Sequence, residues 1–283
     1  MATVDNGDGA AQTRRLNFAA VDDLCFANER GRLDLNRARF RFLPDELAPA
    51  LELRHYSART GLPQLGANAW IGAGAISSMV DALDHGAVQW VNPQGGLTGF
   101  IRTRWDPYRD ETTWFGFALA IRRAATVGGF PSALAKQFEA AITELWTNIY
   151  EHANAWDTGL VAFQASRNSF AFVVADAGIG VLRSLQSSPE FSTLRGHGDA
   201  LRAALTEGTS RYGSGKGRGY GFRQMFLSLR ALDVALRFRS GDHALTLDGQ
   251  NPTLTDAVLH QKATLGGFLV SGVCRAPRVK QLS

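Results

Sequence analysis

The sequence predicts an α+β protein in which a smaller α/β unit precedes a larger unit of helices and strands. Three observations point there. At 283 residues the chain has room for two compact units of roughly 100 to 200 residues each. With 45% hydrophobic and 20% charged residues it carries more apolar material than a disordered chain would, so nearly all of it should fold. Strand-like alternation and helical periodicity occur in both halves, and the chain closes on three strand candidates.

Residues 1–15 are small, polar and Gly-containing, and are expected to form a flexible tail. Leu33 to Phe40 alternates apolar and polar positions like a half-buried strand, and a helical stretch follows that should stop at Gly61. A second helix is expected over Ile76 to Asp84, then a short strand in AVQWVNP. Gly, Pro and polar residues continue to Tyr108, which sets the expected boundary between a domain over 16–108 and one over 109–283.

Beyond it, TWFGFALAIRRAA has helical periodicity, and a long helix should run from Pro131, a first-turn proline, to about Asn154. GLVAFQASR and SFAFVVAD read as a hairpin joined at Arg167-Asn168. Short helices are expected in IGVLRSLQ and around Asp199 to Leu205. A Gly-rich loop, a helix from about Gly221 to Leu232, and the strands VALRFRS, HALTLDG and TLGGFLVSGVC complete the chain.

The formal net charge is only +4, but Arg195 to Arg239 holds nine basic residues against three acidic, a local excess of six. The two cysteines, Cys25 and Cys274, lie at opposite ends without ligand or disulfide spacing, and buried thiols are the expectation. The N-terminus lacks the apolar stretch of a signal peptide, and no later run approaches a membrane span, so a cytoplasmic protein without membrane association is expected.

Three segments could carry chemistry. On the long helix, Glu144, Asn148 and His152 recur every four residues as a polar stripe beside the apolar Ala141, Leu145, Ile149 and Ala153, which suits the wall of a polar cleft; a solvated face gives the same pattern. Asp176-Ala177-Gly178-Ile179-Gly180 ends a strand. There a carboxylate can accept from an exocyclic amine while Gly178 and Gly180 let a flat ring such as adenine approach the backbone; a strand-to-turn junction with Asp as helix cap is the plainer reading. Finally, Gly213, Gly215, Gly217, Gly219 and Gly221 alternate with Lys216 and Arg218 among the intervening residues. Bare backbone N–H groups, basic side chains and a following helix N-terminus suit an oligophosphate, against generic loop flexibility. The segment does not fit the GxGxxG dinucleotide fingerprint, whose third glycine would fall on Arg218, Tyr220 or Phe222, nor a P-loop, since Gly217 stands where Ser or Thr is required and Ser210 where the first glycine is.

In order, ELWTNIYEHA, DAGIG and GSGKGRGYGF resemble the N, G1 and G2 boxes of the GHKL ATP-binding superfamily, and are most similar to the stand-alone anti-sigma-factor serine kinases. The resemblance spans roughly residues 112 to 275. It implies a Bergerat-type two-layer α/β sandwich, a mixed sheet with helices on one face. It also implies ATP and Mg²⁺ as ligands, with Asn148 as the metal ligand, Asp176 as the reader of adenine N6, and Glu144 as the group that polarises an attacking hydroxyl or water. Gly178 and Gly180 would line the base. Gly213 to Gly221, with Lys216 and Arg218, would close over the phosphates, and Val181 to Tyr212 would be a mobile lid. One position departs: Gly267 stands where many members carry a threonine, with Thr264 nearby. The N-terminal unit is faintly similar to a STAS-type domain, a pattern that an arbitrary small α/β domain shares.

The function so implied is transfer of the γ-phosphate to a Ser or Thr of a protein partner in bacterial signalling, with a homodimer allowed. The alternatives are an ATP-hydrolysing switch without protein substrate and, less favoured, a nucleic-acid-associated module using the basic stretch.

Overall fold

The computed structural model describes residues 13–33, 39–41, 46–62, 70–71, 74–103, 111–206, 233–250 and 253–276. Its first third alternates three short parallel strands, β1 (Thr13–Arg15), β2 (Arg39–Arg41) and β3 (Trp70–Ile71), with the helices α1 (Phe18–Glu29), α2 (Leu47–Thr60) and α3 (Ala75–Asp84). α2 ends as expected, on Gly61 in the left-handed region at φ 67°. α1 was not legible in the sequence. It is opened by Asn17, whose side chain accepts from Ala20 N at 2.9 Å, and it fully buries only Val21 and Cys25, one turn apart, so its apolar stripe is short.

The strands β4 (Gln89–Val91), β5 (Thr98–Arg102), β6 (Leu160–Ser166), β7 (Ser169–Asp176), β8 (Asp233–Gln250) and β9 (Val258–Arg275) form a six-stranded sheet in the order β4-β5-β6-β7-β9-β8. The expected mixed sheet is corrected here, because every pair in it is antiparallel. β6 and β7 make the expected hairpin, turned at Arg167-Asn168 with Asn168 at φ 61°. VALRFRS and HALTLDG are one strand instead of two: at Gly241, φ 58°, the register slips against β9 and pairing resumes at His243. β5 pairs with β6, so the sheet takes two strands from the segment preceding residue 109.

Helices cover both faces of this sheet, where one covered face was expected. α4 (Glu111–Val127), α5 (Ser132–His152) and α7 (His197–Leu205) share one core with Phe163, Phe170, Phe172 and Val270. α1, α2 and α3 share the other with Phe100, Ala171, Val173 and Leu269. The reason is written in β7, where all of SFAFVVAD is buried: an uninterrupted apolar run belongs to a strand covered on both sides.

A charged cluster joins the second helical layer to the sheet. Arg237 and Arg239, two residues apart and therefore on one face of β8, both reach Glu52 of α2. Arg237 also donates to Asp22 of α1 at 2.6 Å, and Lys262 Nζ holds the other Asp22 oxygen at 2.6 Å. Two of the nine residues of the basic stretch are thus neutralised inside the protein. Cys25 and Cys274 are buried free thiols, as expected, and burial pushes the Cys25 thiol up to about 12. Among the described residues no helix is long and apolar enough to cross a membrane.

Candidate functional site

α5 is the longest helix described, and its packing follows the sequence pattern: Ala141, Leu145, Ile149 and Ala153 are buried, while Glu144 and Asn148 on the adjacent stripe are half-buried. Trp146 stacks on Trp114 of α4 at 4.3 Å between ring centroids, which fixes the rotation of the helix about its axis. Burial raises the pKa of the Glu144 carboxyl, and the neighbouring charge of Glu151 adds to the shift. His152 Nε2 lies 3.8 Å from the carboxylate of its chain neighbour Glu151 in the last turn.

The C-terminal end of α5 meets the loop that follows β7. Ile179 N donates to Ala153 O at 2.8 Å, and Gly178 lies so close to the same residue that a Cβ there would run into the Ala153 carbonyl. Gly178 is thus required by a close approach of two backbones, which joins the Glu144–Asn148 stripe to the Asp176 segment. α6 (Gly180–Gln186) then begins at Gly180.

Asp176 is 6% exposed. Its Oδ1 accepts from Gly178 N at 2.9 Å, and Phe268 N–H also donates to the carboxylate. Among the described residues no cation compensates the burial, which pushes the group from 3.8 up to about 6 against the lowering effect of those two N–H groups. A carboxylate offers about four acceptor positions, so two backbone donors leave capacity for a further one.

Further backbone groups of the loop and of the turn after it are held from other elements. Ala177 N donates to Thr158 Oγ1 at 2.9 Å, Ala177 O accepts from Arg59 of α2 at 3.1 Å, and Val181 N donates to Ser240 Oγ at 3.0 Å. Ser240, 1% exposed, donates its hydroxyl hydrogen bond to Gly267 O at 2.9 Å. The departure at Gly267 now has a physical reason: its φ is 78°, and any Cβ there would strike Asp176 O, so threonine cannot occupy the position. Thr264 does not replace it. Thr264 is exposed and its N–H is taken by Glu29 of α1 at 2.7 Å. The buried hydroxyl beside this loop is Ser240, a lone serine in a strand that no sequence motif marks.

The structure therefore brings Asp176, Gly178 and Gly180 into one loop and sets the end of α5 against it. Gly213, Gly215, Lys216, Gly217, Arg218, Gly219 and Gly221, with the helix expected after them, lie outside the described residues. The expected lid is built in its first part from α6 and α7, and α7 buries Ala200, Leu201 and Leu205 beside β8; its remainder, from residue 207, lies outside the described residues. Among the described residues no group of three or more His, Cys, Asp or Glu side chains is placed to hold a metal ion. Asn148 makes no side-chain hydrogen bond there, so its amide oxygen is open to a single-ligand role of the kind Mg²⁺ accepts when phosphates and water complete its shell. Compared with protein-family models, with curated proteins and with solved structures, the chain matches none.

Proposed function

We propose that the chain binds Mg²⁺-ATP beside α5 and the 176–180 loop, with the Gly-rich sequence at 213–221 supplying phosphate contacts as the resemblance to the GHKL-type pattern implies, and transfers the γ-phosphate to a Ser or Thr hydroxyl of a protein partner. The observation that carries this reading is Asp176, a carboxylate buried without a cation among the described residues, in a loop whose backbone, with the first turn after it, is held by Arg59, Thr158, Ala153 and Ser240. An ionised group in such a place destabilises the fold, and fixed, desolvated acceptors of this kind concentrate at binding sites. The exocyclic amine of adenine is the donor it suits. Asn148 is the metal ligand in this reading, as in the GHKL-type pattern its box resembles. Glu144, its pKa raised by partial burial, receives the proton of the attacking hydroxyl while the bond between the γ-phosphorus and the bridging oxygen breaks and ADP departs.

The nucleic-acid alternative is weakened by the burial of Arg237 and Arg239 in ion pairs, which removes two cations from the basic stretch. An ATP-hydrolysing switch uses the same groups with water as acceptor. The test is titration calorimetry of the full chain with Mg²⁺-ATP, followed by incubation with γ-labelled ATP and cell extract. Binding by the wild type and its loss in Asp176→Ala support the site; label on a protein supports the kinase, and label only as free phosphate supports the switch. Equal affinity in wild type and Asp176→Ala rejects the assignment.

A further inference from the structure

We propose that Arg59 and His55, on the helical layer behind the sheet, are positioning residues of the nucleotide site, holding the 176–180 loop in the geometry that reads the adenine amine. The inference rests on the nucleotide reading above and deepens it.

Both side chains project from the last turns of α2 to the two backbone segments that flank Asp176. Arg59 Nη1 donates to Ala177 O at 3.1 Å, and the guanidinium lies along Gly266, where a Cβ would stand 3.0 Å from its Nε. His55 Nε2 lies 2.8 Å from Gly266 O; a carbonyl only accepts, so Nε2 carries the proton. Burial lowers the pKa of the ring and favours its neutral form. Ala177 follows Asp176 directly, and Gly266 precedes Gly267, whose backbone is pressed against the Asp176 carbonyl. The two contacts thus grip the strand end and the β9 kink between which the carboxylate is held.

α2 can act as a rigid arm because its other anchor is fixed. Glu52, His55 and Arg59 are spaced by three and four residues and share one face of the helix. Glu52 is locked by Arg237 and Arg239. The guanidinium of Arg59 is not among the groups that shift Asp176, so its influence passes through the Ala177 carbonyl and not through charge on the carboxylate.

Removing the Arg59 side chain frees Ala177 O and lets the loop populate geometries in which Asp176 no longer faces the amine, and apparent affinity falls with the competent fraction. Inosine triphosphate is the probe that separates positioning from mere folding, because it replaces the exocyclic amine with a carbonyl and so has no donor at position 6 for an acceptor placed to read that amine. The experiment measures ATP and inosine triphosphate affinities and the nucleotide-free melting midpoint for the full-length wild type, Arg59→Ala and Arg59→Lys. In Arg59→Ala, ATP binding should weaken roughly five- to tenfold while inosine triphosphate changes less than about twofold and the melting midpoint stays in place. Arg59→Lys, which restores a donor and protects against a folding artefact, should recover part of the discrimination. Equal weakening of both nucleotides, or no change in either, overturns the positioning role and leaves the nucleotide site standing. A wild type that binds neither nucleotide removes the site and this inference together.

Discussion

Titration of Asp176 gives a stability test with a definite sign. Burial lifts its pKa from 3.8 to about 6, so between those values the folded chain retains a proton that the unfolded chain has released. The resulting stabilisation is present in full below the unfolded value and is lost as pH rises through about 6. A shift of about two units, at roughly 1.4 kcal/mol each, amounts to about 3 kcal/mol, a large part of the 5 to 15 kcal/mol typical of a folded domain. Asp176→Asn abolishes the titration and keeps an oxygen for Gly178 N, so the comparison isolates the charge. Denaturant unfolding of both proteins should be followed from pH 4 to pH 8. The stability of the wild type relative to the variant should fall by about 2 kcal/mol or slightly more between pH 4 and pH 7, since at pH 4 the unfolded carboxyl is already partly ionised, with unchanged denaturant slopes. A difference that stays flat with pH would show that the carboxylate is not desolvated, and the argument from its burial would fail.

Further outcomes follow from other parts of the structure. Glu52→Gln leaves the buried Arg239 without a carboxylate and Arg237 with Asp22 alone, and should cost about 3 to 5 kcal/mol by chemical denaturation, whereas a loss under 1 kcal/mol would mean that the cluster is hydrated. Asn148→Ala should weaken Mg²⁺-ATP binding, while Glu144→Gln keeps binding and slows phosphate release or transfer, the split between a ground-state ligand and a transition-state base; unchanged turnover in Glu144→Gln removes that residue from its role. ATP affinity should decline as pH falls through about 6, where Asp176 becomes protonated and ceases to be a full acceptor; calorimetry at pH 5 and pH 7.5 checks this, and equal affinities would contradict it.

Much of the fold could be read because periodicity is local. α5 was legible from its proline and apolar stripe, the β6–β7 hairpin from two apolar runs and a polar pair, and the end of α2 from Gly61. Pairing partners were not legible. Nothing in TGFIR announces that it will lie beside β6, and the continuity of β8 through Gly241 depends on a register slip that a sequence shows only as a glycine. The site divides in the same way. Asp176 and Gly178 stood out because a carboxylate and a small residue at a strand end have a chemical meaning there. Ser240, Thr158, His55 and Arg59 act through backbone groups far away in the chain, and such contacts leave no spacing to recognise.

The same long-range contacts bear on whether residues 109–283 could fold alone, as a boundary near 109 would suggest. Removing the preceding segment strips β5 from the edge of β6 and uncovers Ala171, Val173 and Leu269 on the face that α1, α2 and α3 bury. It also deletes Glu52 and Asp22, so Arg237 and Arg239 lose their carboxylate partners on the face that the deletion opens to water. The ion pairs that tie this face down are gone, and the apolar surface it exposes cannot be covered within the remaining chain. The isolated 109–283 fragment should therefore aggregate or form a loosely packed state that binds hydrophobic dye, without the cooperative unfolding of the full chain. A soluble fragment that unfolds cooperatively at the full-length midpoint would show that the second helical layer is dispensable, and with it the anchoring of α2 on which the positioning by Arg59 depends.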